Sequence, residues 1–215
     1  MFSHSIPKYP SFVGEQISPS ISDSQNYYGQ HLSCFTMTLK ELDEIAQMML
    51  ITMPFVYKAR ISDTSLTRNL YKLSLSLFVK NSTIFNKHEF RSPLGYNLKT
   101  IYKNNQLNAS IFEDGLTNYL VVQPIIAETW GRPLQTPWCS GKYQVYNVNT
   151  LKLAGISWTE QDDHSKWAIA NNEYACFGDM NRMSSQWKRG GSFFCLSDSS
   201  LVSAIKKVIV THDKC

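Results

Sequence analysis

Residues Thr159 to Cys195 read TEQDDHSKWAIANNEYACFGDMNRMSSQWKRGGSFFC. Within them, Lys166 to Ala170 and Glu173 to Phe177 are short strand-like runs. Asn171-Asn172 between them tolerates the left-handed conformations of a two-residue hairpin turn. The lead into the first run, Asp163-His164-Ser165-Lys166-Trp167, sets an imidazole and an ammonium two residues apart. Positions i and i+2 of a strand point to one face, so His164 and Lys166 can meet one phosphate. A two-residue turn sets His164 against Asp179 and Lys166 against Phe177, with Asn181 on the same side. An imidazole can attack phosphorus, while lysine and asparagine hold the non-bridging oxygens and stabilise the charge that builds there. That scheme uses no metal and no cofactor. Asp162-Asp163 does not suggest a metal, since consecutive strand residues point to opposite faces. A His-x-Lys pair also arises by chance at solvated strand edges. Arg189-Gly190-Gly191-Ser192 has the same ambiguity, as backbone amides and a cation for a phosphate or as a plain turn.

Outward from this stretch, Leu120 to Ile126 and Tyr143 to Asn149 are rich in valine, isoleucine and tyrosine and predict strands, the first buried on both faces. Leu98 to Lys103 alternates like a strand, Asp114 to Leu120 predicts a helix, and residues 65–80 are apolar without a deciding period. Thr38 followed by Glu41 is a capping box, after which Leu42, Ile45, Ala46, Met49 and Leu50 fall on one helical face until Pro54. Residues 201–210 predict a closing helix with Leu201, Ile205, Val208 and Ile209 on one face and Ser197 or Ser200 as cap. Residues 1–36, rich in Ser, Pro, Tyr and Gln, predict an extended or looping lead-in to a single region spanning 1–215. Tyr27, Tyr28, Trp158, Trp167 and Trp187 offer stacking surfaces for bases, although aromatics in such number mostly fill cores. His4, His31, His88 and His212 are read as surface or capping residues.

The 215 residues suffice for a substantial core, and the composition, 43% hydrophobic and 18% charged, is that of an ordinary globular chain. An excess of 21 Lys and Arg over 17 Asp and Glu, +4, permits a nucleic acid partner without demanding one. The longest apolar stretches are broken by Lys80, Glu41 and Asp43, so no membrane span is predicted. MFSHSIPKYP lacks the basic start and apolar core of a secretory signal, which leaves a chain that is not secreted or a true beginning farther upstream. Cys34, Cys139, Cys176, Cys195 and Cys215 are odd in number and contain no CxxC pair that would suggest zinc. Asn81-Ser82-Thr83 and Asn108-Ala109-Ser110 are glycosylation sequons, used only if the chain enters the secretory pathway.

The run Thr159–Cys195 closely resembles the C-terminal signature of the deoxyribonuclease II family. The resemblance extends through PWCSGKYQVYNVN and, more weakly, HSIPKYP, YGQHLSC and MPFVYK to nearly the whole chain. It implies an α/β, phospholipase D-like fold of mixed sheet and flanking helices built from two similar halves, of which this chain covers one half and more. Each half contributes one His-x-Lys motif to a shared, metal-independent phosphodiesterase site. In the family one histidine is transiently phosphorylated and the other protonates the leaving 5′ oxygen, giving 3′-phosphate ends at lysosomal acidity. His164, Lys166 and Asn181 match the second motif, with the role of His164 left open; Asp179, Arg189, Gly190 and Gly191 are secondary substrate-binding candidates. The first motif lies upstream of the segment that HSIPKYP resembles. His4-Ser5-Ile6 and His31-Leu32-Ser33 lack its lysine, and His88-Glu89-Phe90 has an aromatic there. By family likeness Cys176 pairs with Cys195 and Cys139 with Cys215, leaving Cys34 without a partner, in a secreted or lysosomal glycoprotein. Three outcomes follow: an acid endonuclease, through a longer chain or a homodimer that completes the site; an inactive, truncated relative that binds DNA or another partner; or a fragment with an exposed core.

Overall fold

The hairpin predicted within residues 159–195 forms the middle of a mixed sheet. The computed structural model describes residues 1–7, 9–13, 16–18, 20–59 and 67–215. Residues 65 and 66 of the undecided apolar stretch, and Lys8 of HSIPKYP, lie outside the described residues. Four short strands come first: β1 (Phe2–His4), β2 (Ser11–Val13), β3 (Gln16–Ser18) and β4 (Leu32–Cys34). They form two antiparallel ribbons, β1 with β4 and β2 with β3. Helix α1 (Leu39–Thr52) begins at Thr38 with both reciprocal bonds of the capping box formed, and turns left-handed at Met53 just before Pro54. Helix α2 (Arg68–Ser74) takes part of the undecided stretch.

β5 (Asn86–Arg91) and β6 (Asn97–Lys103) follow, then a wide π-type turn of helix at Ile111–Leu116 that continues into α3 (Thr117–Leu120). This helical segment starts earlier than Asp114 because Ser110 caps it, accepting from the amides of Phe112 and Glu113. The predicted strand Leu120–Ile126 is corrected at its start. Leu120 closes α3 and Val121 is left-handed, so β7 runs from Ile125 to Thr129, buried at every position. Next come β8 (Val145–Leu153), β9 (Ile156–Thr159), β10 (Lys166–Ala170), β11 (Tyr174–Gly178) and β12 (Gly191–Ser197). The closing helix α4 (Ser199–Lys206) is capped by Asp198, not by Ser197 or Ser200. It stops short of 210 because the β-branched run after Val208 pairs with β8 as β13 (Ile209–His212).

The nine-stranded sheet has the order β13-β8-β7-β10-β11-β12-β6-β5, with β9 also on β8. The β7–β8 pair is parallel and the other pairs are antiparallel. One face packs Ile101, Ala127, Ala168, Cys176 and Phe193 against the helical segment at Ile111, Phe112, Leu116 and Leu120. The other face packs Ile126, Trp167, Ile169 and Ala175 against Val202 of α4, and Tyr102 and Phe194 against Ile45 of α1. Helices thus cover both faces of a mixed sheet, the α/β architecture expected of a phospholipase D-like chain.

Cys176 and Cys195 lie directly opposite across β11 and β12 and are bridged, and Cys139 is bridged to Cys215. Cys34 is free and exposed. Among the described residues no helix is long and apolar enough to cross a membrane.

The register of the central hairpin corrects the predicted one. Trp167 opposes Phe177 and Ala170 opposes Tyr174, so Glu173 joins Asn171 and Asn172 in a three-residue loop. A type I′ two-residue turn needs positive φ at both central residues, and only Asn171, at 55°, has it. A slip of one residue changes every cross-strand partner. Continued by one step, the observed register puts Lys166 opposite Gly178 rather than Phe177, and His164 lies beyond the strand.

Candidate active site

The strand-end edge of the sheet, away from its outer strands, gathers the start of β10, the ends of β7, β11 and β6, and the start of β12. The sequence-predicted residues lie along this edge. Lys166 is the first residue of β10, Asp179 and Asn181 follow β11, and Arg189 and Gly190 lead into Gly191 of β12. The pairing of His164 with Asp179 does not form. Asp179 is exposed and accepts from the Ser192 amide at 2.7 Å. Both Asp179 and Arg189 act electrostatically on Lys166. Asn181 is half-buried, with its Oδ1 buried and unpartnered among the described residues.

The His164–Lys166 segment is held by a strap from the lead-in. Gly29 bridges Asp163 in parallel, its amide donating to Asp162 O at 2.8 Å while the His164 amide donates to Gly29 O at 2.8 Å. The strap needs glycine here, because a Cβ at Gly29 would stand 2.4 Å from Asp163 Oδ2. The buried Asp163 carboxylate accepts from Trp158 Nε1 and from the Ser165 amide, both at 2.7 Å, which locks the turn into β10. Tyr28 stacks on the imidazole of His164, ring centroids 4.1 Å apart, and Trp130 meets it edge-on at 6.3 Å. Lys166 Nζ donates to His164 O at 2.7 Å.

His31 and His4 are not the surface or capping residues predicted. His31 is buried, and its Nδ1 accepts from the Lys166 amide at 3.1 Å. His4 is half-buried with Nδ1 buried, because β1 and β4 fold the lead-in back on itself. His212 opens a second His-x-Lys triplet, His212-Asp213-Lys214, which the spacing argument passed over. It lies at the end of β13, stacked on Tyr146 and paired with β8. Trp158 and Trp167 belong to the core, whereas Tyr27 is exposed.

Burial draws the Lys166 ammonium down from 10.5 to about 8, with Asp179 opposing the shift and Arg189 adding to it. Burial also lowers His164, helped by Lys166 and opposed by Asp163. His31 falls to about 4, through burial and then the charges of Lys166 and His4. Glu128, fully buried in β7 with neither oxygen hydrogen-bonded among the described residues, is pushed up to about 9 by burial and by Asp163 and Glu160. In mild acid the site therefore holds a cationic lysine and a neutral buried carboxyl beside an imidazole whose hold on its proton is weakened by burial.

Two buried cations shape the loop after β11. Arg182 donates to Glu113 Oε1, Asn147 Oδ1 and the carbonyls of Gln135 and Thr136. Lys103 donates to the carbonyls of Trp187 and Arg189. Gly190 packs so closely on Thr52 O that a Cβ would fall 1.9 Å from it. Sequence reasoning missed Gly29, Gln30, His31, Lys103, Glu128 and Arg182; a lone carboxyl inside the apolar run Ile125-Ile126-Ala127-Glu128 was the available signal for one of them. Among the described residues no group of three or more His, Cys, Asp or Glu is arranged to hold a metal ion.

The family model described as Deoxyribonuclease II matches residues 1–215. Cell-death-related nuclease 7 of Caenorhabditis elegans is 26% identical over 225 residues, covering 99% of this chain and 59% of its own length. Deoxyribonuclease-2-beta of Mus musculus is 27% identical over 221 residues, covering 99% and 61%. Deoxyribonuclease-2 of Caenorhabditis elegans is 27% identical over 219 residues, covering 99% and 57%. The chain spans between 57% and 61% of the length of these relatives.

Proposed function

The chain belongs to the deoxyribonuclease II family, and on that premise we propose that it takes part in hydrolysis of DNA phosphodiesters as an acid endonuclease. The observation that carries this reading is the placement of His164 and Lys166 at one sheet edge, strapped by residues 28–31 and within electrostatic reach of Asp179 and Arg189. Lys166 stays cationic in mild acid and neutralises a non-bridging oxygen. Asn181 donates from its amide nitrogen to a non-bridging oxygen while its unpartnered carboxamide oxygen accepts from a bound water, and Arg189 with Gly190 and Gly191 borders the strand path. The chemistry is histidine-based and independent of metal, and it leaves 3′-phosphate ends. Exchange at phosphorus through a phosphorylated histidine takes a second imidazole as proton donor or acceptor. His31 does not serve, because its Nδ1 is committed to the Lys166 amide and its Nε2 is buried. The second imidazole comes from another copy of the chain or from sequence beyond these 215 residues.

Two disulfides, together with exposed asparagines in both sequons, Asn81 and Asn108, support a secreted or lysosomal glycoprotein. The single imidazole available for the reaction favours a second reading, binding of DNA without turnover. End-group analysis separates the two. The first reading predicts nicks that a polymerase extends only after phosphatase treatment; directly extendable ends contradict it. A salt-sensitive gel shift with no nick selects the second.

A further inference from the structure

Large apolar side chains stand exposed at a hairpin tip beside the site. β8 turns into β9 through Ala154 and Gly155, both at positive φ, and this tight turn leaves Leu153 and Ile156 paired across the ladder yet 59% and 68% exposed. Tyr27, 84% exposed, lines with them a cleft of about 320 Å³ whose other aromatic residues are Tyr28 and Trp158. Exposed apolar side chains gathered in one cleft mark a binding surface. The cleft is tied to the turn that carries His164. Tyr28 stacks on the imidazole, the Gly29 amide donates to Asp162 O, and Trp158 Nε1 donates to Asp163 Oδ2. A molecule seated there therefore lies next to the phosphate that His164 and Lys166 meet.

Charge decides which part of a nucleic acid fits. Among the described residues that line the cleft there is no lysine or arginine, and Asp162 sets an exposed carboxylate there. A phosphate is repelled from it and drawn to Lys166 and Arg189 instead. A base carries no net charge, offers a flat π-face to tyrosine, and has edge groups that the Asp162 carboxylate and the Asn26 amide can meet. We propose that the cleft between residues 26–29 and the β8–β9 turn holds one nucleobase of the DNA, turned out of its stack onto Tyr27. This rests on the phosphodiesterase reading, which places the neighbouring phosphate at Lys166. Turning a base out of a duplex costs least where it is unpaired, so the cleft selects bulged or single-stranded DNA over a perfect duplex.

The test uses the whole chain in EDTA at neutral pH with a short duplex that carries one bulged iodouracil. Irradiation at long wavelength should cross-link the base to the peptide that holds Tyr27, and the same base in a fully paired duplex should cross-link far less. Tyr27 is exposed, so its variants keep the fold. Tyr27→Ala should abolish the cross-link and weaken binding of the bulged duplex about 5- to 150-fold, the usual worth of one stacked base, while Tyr27→Phe binds as the native chain does. The salt dependence of binding should be the same in Tyr27→Ala, because no phosphate contact is lost. Native affinity in Tyr27→Ala, a cross-link that maps elsewhere, or a shallower salt dependence overturns the proposal and leaves the nuclease reading standing. Failure of the native chain to bind DNA at low salt overturns both.

Discussion

A neutral amide beside the imidazole and a lysine beneath its carbonyl define what His164 can do. His164→Ala should lower cleavage by about 10²–10⁴-fold, the usual worth of a positioned acid or base, measured as initial nicking rate at saturating DNA. Glu128 makes a separate prediction, about stability. Its folded value near 9 lies above the ordinary 4.5, so between these limits the folded chain holds a proton that the unfolded chain releases. Its contribution is complete below about pH 4.5 and is lost as pH rises toward 9. Glu128→Gln should flatten the fall in melting temperature between pH 7 and 9; an equally steep fall in the variant assigns that loss to other groups. His31 works the other way. Depressed to about 4, its contribution is present above pH 6.5 and is lost as pH falls through 4. The His-x-Lys pair was legible from spacing alone. His31 and Gln30 were not, because the meeting of Gln30 with His164 and of His31 with Lys166 depends on a lead-in that carries no period.

Elements read correctly where a local signal agreed with the environment. The capping box at Thr38 starts α1, and the β-branched and apolar residues of β6, β8, β10 and β11 pair as strands. Elements read incorrectly are those whose ends are set by partners. β7 waits until Ile125 because Leu120 closes a helix, and α4 yields to β13 because β8 offers an unpaired ladder. The hairpin register failed by one residue, enough to replace Phe177 by Gly178 opposite Lys166. The loop after β11 depends on the pair Arg182–Glu113, both buried. Arg182→Met leaves the carboxylate uncompensated and should cost about 3–5 kcal/mol in urea unfolding. Adding Glu113→Gln should recover part of the loss; no recovery would move the cost to the contacts of Arg182 with Gln135, Thr136 and Asn147.

At the scale of the molecule, helices cover both faces of the sheet while the site lies along one edge, supplied with a single motif histidine. If two copies complete the site across a two-fold axis, the specific nicking rate should fall on dilution below the dimer dissociation constant. A rate per chain that is independent of concentration from micromolar to nanomolar would place the whole site within one chain. Both disulfides follow the pairing that family likeness implied, and Cys34 remains free. The assembly state was not legible, since no spacing in the sequence distinguishes a surface that meets a second copy from a solvated one. The most direct test of the central claim is nicking of supercoiled plasmid at about pH 5, where histidine still titrates, in EDTA, with His164→Ala alongside. The account predicts nicks from the native chain where copies of it complete the site and none above background from the variant; equal nicking by both would contradict it, and no nick from folded native protein that binds DNA selects binding without turnover.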